Sequence, residues 1–306
     1  MFIKQSTKKF YQAGKTTANY SWHDWLHGYV YARWPYLYIG VGTGEHKLSK
    51  PLSALWQFLQ KLFPSSETSN DTRQSFADGY HGKVVPLNQA SQLVTVNKEI
   101  KIDDLEKIIP YQRARSIILK NPDHIAVMEC PCRSARKNPC KPLDVCLIIG
   151  EPFVSFVLDH HPQKARKITQ QEAVQIIKEE DARGHVHHAF FKDAMLQRFY
   201  AICNCCSCCC GAMQAMRNGT PMLAPSGYIL QIEEEKCIGC ANCVEFCQFK
   251  ALRLHNGKIQ VDETLCMGCG VCVDKCKQHA HHLVKDERKG QPLEIVKLME
   301  QATSLH

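Results

Sequence analysis

An α+β fold is predicted for this chain of 306 residues, and three observations predict it. Of its residues, 44% are hydrophobic and 22% are charged, which is the composition of an ordinary globular protein. Short apolar strands and amphipathic helices are mixed between residues 99 and 225. Residues 226–286 contain an internal repeat with a hairpin between its two copies. The length suggests about two domains.

Hydropathy and cysteine content limit the class of protein. No apolar run approaches the roughly 18 residues that a membrane-spanning helix needs, so a spanning protein is excluded. The N-terminal sequence MFIKQSTKKFYQ lacks the uninterrupted apolar stretch of a secretory signal. We therefore expect a cytoplasmic protein, with peripheral contact to a membrane as the alternative. In that reducing compartment, the 18 cysteines are expected to bind metals or to do redox chemistry rather than to form disulfides.

The first predicted region, residues 1–98, is rich in aromatic residues and has no cysteine. Tryptophans and tyrosines crowd the segment from Trp22 to Tyr38. After Pro51, apolar residues recur at three- and four-residue steps as far as Phe63, which predicts a helix that faces the core or another subunit. Nearby lysines make a helix on a membrane surface the alternative. We interpret this region as the docking surface for a redox partner protein or an oxidoreductase complex.

The second predicted region, residues 99–225, is a cysteine-rich α+β domain. Residues 109–120 are predicted to be helical, and HIAVMEC is predicted to be a buried strand that leads into Cys130. Thr169, with a glutamate three residues later, is a capping-box signature for a helix that ends at Gly184. A strand over GHVHHAFF should follow. Its histidines could supply a ligand or a proton, although packing is their commoner role.

The third predicted region, residues 226–288, contains the internal repeat. Two cysteine runs with the same C-x2-C-x2-C-x3-C spacing align at an offset of 29 residues. Between the runs, Asn256-Gly257 joins two alternating strands, which is the strongest short signal for a hairpin. YILQI before the first run and HHLVK after the second can pair as outer strands. Residues 289–306 are expected to form a C-terminal helix and tail.

Both cysteine runs match the spacing of bacterial [4Fe–4S] sites. Three thiolates at two-residue gaps fit one cubane, and the fourth points away after a helical turn and reaches the other cluster. Zinc is the alternative, but its usual sites use pairs of C-x2-C separated by a longer gap. Glycines beside the cysteines would let the backbone approach the inorganic sulfides. The predicted ligands are Cys237, Cys240, Cys243 and Cys276 for cluster 1, and Cys266, Cys269, Cys272 and Cys247 for cluster 2.

This repeat resembles the two-cluster bacterial-type ferredoxins. The resemblance implies a compact, ferredoxin-like βαββαβ domain and one-electron transfer. The proline that usually follows the fourth cysteine is Gln248 in the first run and Lys277 in the second, a departure that bears on local geometry and reduction potential. Each oxidised cluster with its thiolates carries a charge of about −2, so the formal charge of +8 falls to roughly +4. That reduction argues against nucleic acid as a partner.

Four further cysteines lie within seventeen residues in the CPCR block. The prolines between them predict a rigid loop rather than a helix, and Arg133 and Arg136 beside the loop favour thiolates. Four thiolates on such a loop suit a [4Fe–4S] cluster or a structural zinc ion. We favour the cluster because the repeat already uses that chemistry. The four residues are Cys130, Cys132, Cys140 and Cys146.

The block ICNCCSCCCG has six cysteines in eight residues, more than one cubane can bind. Three of them have the C-x2-C-x2-C spacing of a cubane site, namely Cys203, Cys206 and Cys209. The other three project elsewhere and could serve a second cluster or a site shared with the CPCR block, namely Cys205, Cys208 and Cys210. The remaining alternatives are a reactive thiol, an iron with an open coordination position, an unusual cluster, or a packing role for one or two of the six cysteines.

The two cysteine blocks, with the T-x-x-E helix that leads to GHVH, are similar to those of a family of uncharacterised dicluster ferredoxin-like proteins from anaerobic bacteria. The resemblance extends over about residues 80–285 and implies an iron–sulfur redox role without a particular substrate.

The main functional hypothesis is an electron-transfer protein that passes single electrons between two ferredoxin clusters and one or two additional clusters. It would act as a subunit or partner of an anaerobic oxidoreductase rather than as a stand-alone enzyme. One alternative is a reductase with an unusual cluster at the CNCCSCCC block as its catalytic centre, and another is a redox sensor. Catalytic residues are not assigned, and nothing in the sequence indicates a flavin, haem or nucleotide site.

Overall fold

The computed structural model describes residues 3–51, 76–102, 105, 108, 111 and 116–304, without the side chains of the last four. The predicted mixture of helices and strands is confirmed. The helix predicted after Pro51 lies outside the described residues. Among the helices within the described ranges, none is long and apolar enough to cross a bilayer.

A seven-stranded sheet organises the part of the chain before residue 226. In chain order, the strands of this part are β1 (Tyr80–Val85), β2 (Ile100–Ile102), β3 (Ile117–Leu119), β4 (Ile125–Glu129), β5 (Asp144–Ile149), β6 (Ala165–Ile168), β7 (Val186–Lys192), β8 (Arg198–Cys205) and β9 (Leu223–Ala224). The order in the sheet is β6-β4-β5-β8-β7-β1-β9. Its neighbouring strands are antiparallel except β1 and β9, and β2 pairs with β3 in a separate ladder.

Helices cover both faces of this sheet. They are α1 (Gln5–Lys15), α2 (Trp22–Arg33), α3 (Pro35–Gly42), α4 (Leu87–Thr95), α5 (Pro131–Ser134), α6 (Phe153–His160), α7 (Gln170–Ala182) and α8 (Gly211–Arg217). Because successive side chains of a strand point to opposite faces, Val127 packs with α4 and α7, whereas Met128 packs with α1 and α6. The second face also carries six of the ten cysteines of the two blocks.

Two local predictions in this part are wrong. Ile117–Leu119, predicted to end a helix, is strand β3, because its β-branched residues pair with β2 and bury Ile117 and Leu119. Pro131–Ser134, predicted as loop, is the short helix α5. Proline at the first helical position has the backbone angle that a helix needs and lacks only an N–H that would be unpaired anyway.

The predicted helix before the histidines is confirmed as α7. The side chain of Thr169 accepts a hydrogen bond from the backbone N–H of Glu172 at 3.1 Å. The helix ends at Ala182, and Gly184 follows with a φ of +82°. The predicted strand after it is β7. The division of the chain at residue 98 stays a prediction, although β1 before it and β7 after it form one ladder.

The C-terminal part has the element order strand, helix, strand, strand, helix, strand. These elements are β10 (Tyr228–Ile232), α9 (Asn242–Phe246), β11 (Leu252–His255), β12 (Lys258–Val261), α10 (Val271–Asp274) and β13 (His281–Lys285). As predicted, β10 pairs with β13, and β11 pairs with β12 around Asn256-Gly257. Helix α11 (Ile295–Ser304) follows the turn at Glu287–Lys289.

Candidate iron–sulfur sites

One cavity in the C-terminal part is lined by four cysteines from both runs. Cys237, Cys240 and Cys243 belong to the first run, and Cys276 belongs to the second. Helices α9 and α10 pack against each other, and the side-chain amide of Asn242 donates to the carbonyl of Lys275 at 2.9 Å. This hydrogen bond joins the start of α9 to the residue before Cys276. The four thiols therefore surround one space, as the ligands of a cubane must.

Two equivalent glycines, one in each cysteine run, lie close to the backbone of another segment. Gly239 and Gly268 occupy the same place in the C-x-G-C of each run, with φ values of +67° and +63°. A Cβ atom on Gly239 would lie 2.1 Å from the carbonyl oxygen of Gly257, and one on Gly268 would lie 2.1 Å from that of Tyr228. Since neither the φ nor the space suits a side chain, both turns need glycine.

Electrostatic shifts also show which ferredoxin thiols lie near one another. Burial and the neighbouring thiolates of Cys247 and Cys266 raise the pKa of Cys269 to about 12. Burial likewise raises the pKa of Cys243 to about 11, with further contributions from Cys237, Cys240 and Cys276. In each case the fourth cysteine of the opposite run is among the close neighbours. Bound iron would offset these shifts, because a metal ion stabilises the thiolate.

The C-terminal part contacts the cysteine-rich part through the residue that replaces the usual proline. The side chain of Gln248 donates to the carbonyl of Gly184 at 2.8 Å and accepts from the backbone N–H of Ser207 at 2.7 Å. The side-chain amide thereby connects the residue after Cys247 to the CNCCSCCC block. The Lys275 ammonium adds a hydrogen bond to the carbonyl of Ala182 at 2.6 Å.

The sheet register brings cysteines of the two blocks together. Cys146 on β5 lies opposite Cys203 on β8, and Cys203 lies opposite His188 on β7. Helix α5 follows β4, the other neighbour of β5, and brings Cys130 and Cys132 to the same face. A largely apolar cavity of about 180 Å³ lies there. Eight cysteines line it: Cys130, Cys132, Cys146, Cys203, Cys205, Cys206, Cys209 and Cys210.

Six of these thiols influence one another's pKa in succession, and we call this group the six-thiol ring. Side-chain interactions run from Cys132 to Cys130, then to Cys146, Cys203, Cys205 and Cys210, and the charge of Cys210 acts back on Cys132. Hydrogen bonds with Cys132 and Cys146 hold the pKa of Cys130 well below its usual value. The corresponding interaction with Cys130 raises the pKa of Cys132. Thiols that line one cavity and influence one another's pKa in this way fit a polynuclear iron–sulfur cluster.

His188 is the nitrogen donor beside this ring. A ring nitrogen of His188 and the Sγ atoms of Cys205 and Cys210 all lie within 4.8 Å of one another. Burial, with a contribution from the charge of His187, lowers the pKa of His188 to about 3, so the imidazole is neutral at pH 7. Three histidines lie in the segment GHVHH. The register separates them, because His187 and His188 point to opposite faces of β7.

The remaining cysteines form a second set. Cys140, predicted to act with the other three cysteines of its block, lies instead with Cys206, Cys208 and Cys209. The Cys140 and Cys208 Sγ atoms are 3.1 Å apart. The structure therefore divides the ten cysteines of the two blocks six to four, and each set draws on both blocks.

A buried ion pair supports the CPCR block. The Arg133 guanidinium is 1% exposed and donates to the fully buried Glu180 carboxylate at 2.5 Å. It also donates to the carbonyls of Asn204 and Pro142, and His185 contacts the same Glu180 oxygen at 2.7 Å. The network connects the residue after Cys132 to the end of α7 and to β8. Arg133 was singled out in the sequence, but its partner lies 47 residues away and gave no local signal.

A tyrosine cluster borders the same cavity. The hydroxyl of Tyr31 lies 2.8 Å from that of Tyr200 and 3.0 Å from that of Tyr80. Burial raises the pKa of all three, and Cys203 raises it further in each. The ammonium of Lys192 lies 4.0 Å from the centroid of the Tyr80 ring. Part of the aromatic N-terminal region therefore faces the cysteines rather than solvent.

In a comparison with family models, residues 229–277 match the 4Fe-4S dicluster domain. This segment contains both cysteine runs. Together with the clustered cysteines of the rest of the chain, it defines an iron–sulfur protein that binds [4Fe–4S] clusters, and it indicates iron–sulfur electron transfer. Neither a search of curated proteins nor a search of solved structures found a match.

Proposed function

We propose that this protein passes single electrons between two ferredoxin [4Fe–4S] clusters and a further cluster at the six-thiol ring. The observation that carries the proposal is the cavity lined by Cys237, Cys240, Cys243 and Cys276. It supports the crossed ligation of the two ferredoxin clusters, with Cys247 completing cluster 2. The six-thiol ring supports the further cluster, because its thiols share one buried cavity.

The contact at Gln248 supports a path between the two parts. Cys247 would bind cluster 2, and the next side chain accepts a hydrogen bond from Ser207 in the CNCCSCCC block. The chain's own contribution is to hold the clusters in fixed positions, to exclude water from them and to tune their potentials through burial, hydrogen bonds and charge. Each cluster, when bound, supplies reversible one-electron chemistry.

Paired substitutions test the crossed ligation. After anaerobic purification, Cys237→Ala with Cys276→Ala should remove about four irons per chain, because both residues would serve one cluster. Cys237→Ala with Cys247→Ala should remove about eight, because they would serve two. The reverse result would contradict the ligand assignment. A wild-type content of only about eight irons, with matching EPR, would remove the further cluster from the proposal.

An oxidoreductase complex or a redox partner protein is the proposed partner. An apolar stripe on α2 supports this, because Trp22, Leu26 and Val30 recur at four-residue steps and are exposed within the described part of the chain. Trp34, which follows the helix, is exposed as well. Replacing Trp22 with Ser should weaken electron exchange with the partner but leave the EPR spectrum of the isolated protein unchanged.

A reductase centred on the six-thiol ring is the second candidate, and the tyrosine cluster favours it. The hydroxyls of Tyr31, Tyr80 and Tyr200 lie close to one another beside Cys203, where they could donate a proton to a bound substrate. Substrate-induced changes in the EPR signal of the ring cluster, weakened by Tyr31→Phe, would support this function. No change with any candidate substrate would favour electron transfer alone.

A further inference from the structure

The four thiols outside the six-thiol ring are spaced for one metal ion. The Sγ atoms of Cys140, Cys206, Cys208 and Cys209 all lie within 4.8 Å of one another. The Cys140–Cys208 separation is 3.1 Å and the Cys208–Cys209 separation is 3.7 Å. Zinc–sulfur bonds of about 2.3 Å in a tetrahedron place the sulfurs about 3.8 Å apart. In a cubane each thiolate binds a different iron and points away from the cluster centre, which holds the sulfurs farther apart.

The local structure holds these thiols in a compact arrangement. The backbone N–H groups of Cys209 and Cys210 both donate to the carbonyl of Cys206, which makes a tight turn. The guanidinium of Arg136 donates to the carbonyl of Cys209 through Nε and Nη2, at 3.3 and 3.1 Å. The same guanidinium forms an ion pair with Glu45, so its contact with the turn is through the Cys209 carbonyl. A divalent ion with four thiolates would carry a net charge of about −2.

We propose that Cys140, Cys206, Cys208 and Cys209 bind a single zinc ion in a closed tetrahedral site. The ion ties the turn after β8 to the loop after α5. Four protein ligands leave no open position, as in structural zinc sites. Zinc has no redox chemistry, so this site supports the neighbouring cluster without carrying electrons.

Metal analysis of the anaerobically purified wild-type chain is the first test. We expect about one zinc per chain, in addition to the iron of the clusters, and zinc-edge X-ray absorption should show four sulfurs at about 2.3 Å. A zinc content far below one per chain, or a zinc shell with oxygen or nitrogen ligands, would overturn the proposal. Iron in place of zinc, seen as a mononuclear tetrathiolate signal, would also overturn it.

Single substitutions then separate this site from the clusters. Cys208→Ser, at the most exposed of the four thiols, should lose the zinc and keep the iron content. The matched control, Cys240→Ser in the ferredoxin part, should keep the zinc and change the iron. Loss of about four irons from Cys208→Ser with unchanged zinc would assign the four thiols to a cubane instead. Because the wild-type measurements need no variant, the proposal stays testable even if Cys208→Ser fails to fold.

A separate observation concerns His188, on the cavity face of the sheet. The side chain is 0% exposed, and neither ring nitrogen has a hydrogen-bond partner among the described residues. A buried imidazole without partners is costly in a folded protein. A ring nitrogen of His188 lies within 4.8 Å of the Sγ atoms of Cys205 and Cys210. The missing partner of the imidazole is therefore expected at the place where these two thiols converge.

We infer that His188 is a nitrogen ligand of the iron–sulfur cluster at the six-thiol ring. This inference rests on the proposed further cluster. A neutral imidazole in place of an anionic thiolate raises the reduction potential of a cluster. His188 therefore sets this cluster apart from the two ferredoxin clusters, whose predicted ligands are all thiolates.

Magnetic resonance on protein with ¹⁵N-labelled histidine tests this ligand directly. The reduced wild-type protein should show coupling to a bound histidine nitrogen, and His188→Leu should lose it. His188→Cys should keep the iron content of the wild type and lower the reduction potential of this cluster. A cluster signal without nitrogen coupling in the wild type would overturn the inference for His188 alone. An iron content of only about eight would instead show that the further cluster itself is absent.

Discussion

Replacing Gln248 with proline would restore the residue that usually follows the fourth cysteine, and it tests the contact between the two parts of the chain. The change removes two hydrogen bonds, one to the carbonyl of Gly184 and one from the N–H of Ser207. At about 1 kcal/mol each, their loss weakens the contact by about 2 kcal/mol. That corresponds to a roughly 30-fold increase in the equilibrium constant for breaking this contact.

Hydrogen exchange at Ser207 measures this shift, because the amide of Ser207 donates to the Gln248 side chain itself. We expect its exchange to become at least about 30-fold faster in Gln248→Pro, with the iron content unchanged. Gln248→Met removes the same two hydrogen bonds without the backbone constraint of proline and should give a similar increase. Freeze-quench EPR should then show slower reduction of the ring cluster by the ferredoxin clusters.

The matched control is Lys277→Pro, at the equivalent place after the second run. Lys277 is exposed, so its replacement should leave exchange at Ser207 near the wild-type rate. The reasoning would be refuted if Gln248→Pro exchanged like the wild type. It would be refuted equally if Lys277→Pro produced the same increase, since the effect would then follow from proline rather than from the contact.

Three further predictions follow from buried charge and backbone geometry. Glu180→Gln leaves the Arg133 guanidinium buried without its counter-charge and should lower the free energy of unfolding by about 3 kcal/mol. The control is Glu179→Gln, at the exposed neighbour, which should change the free energy of unfolding by less than about 0.5 kcal/mol. Equal effects of the two substitutions would contradict the role of burial. Although burial opposes it, His185 and Arg133 hold the pKa of Glu180 below its usual value. The stability that the low pKa provides is fully present above the unfolded pKa of about 4.3 and is lost as pH falls through the folded pKa. When unfolding is measured at decreasing pH, the wild type should therefore show a loss of stability that Glu180→Gln lacks. Gly268→Ala places a side chain at a left-handed position against a backbone oxygen. It should lower the free energy of unfolding by at least about 2 kcal/mol and cause the loss of one [4Fe–4S] cluster. Melting temperature and iron content measure these effects, and unchanged values would show that the turn can relax.

The sequence by itself determined the ferredoxin part almost completely. Its signals are local: cysteine spacing, glycine in each C-x-G-C and Asn256-Gly257 between two alternating strands. Spacing of two and three residues fixes which thiols can face one cubane, so the cavity with Cys276 among the first-run cysteines was predictable. The helix that follows Thr169 was predictable for the same reason, because the signal for its start and the signal for its end are each local in the sequence.

The ten remaining cysteines could be found in the sequence but not grouped. Adjacency suggested that Cys140 acts with Cys130, yet Cys140 lies with Cys206, Cys208 and Cys209. The pairing of β5 with β8 brings the two blocks together, because it sets Cys146 opposite Cys203. Strand register over such sequence separations has no local signal.

Tertiary structure also decided which polar residues matter around these cysteines. His187 and His188 are neighbours in sequence, but the pleat of β7 turns one towards Asn204 and the other towards the six-thiol ring. In the sequence, Gln248 is notable only because it replaces the usual proline. The folded chain shows that its side-chain amide joins the two parts. Ligand spacing within a run is a property of the chain, whereas a buried site shared between distant segments exists only once the sheet has formed.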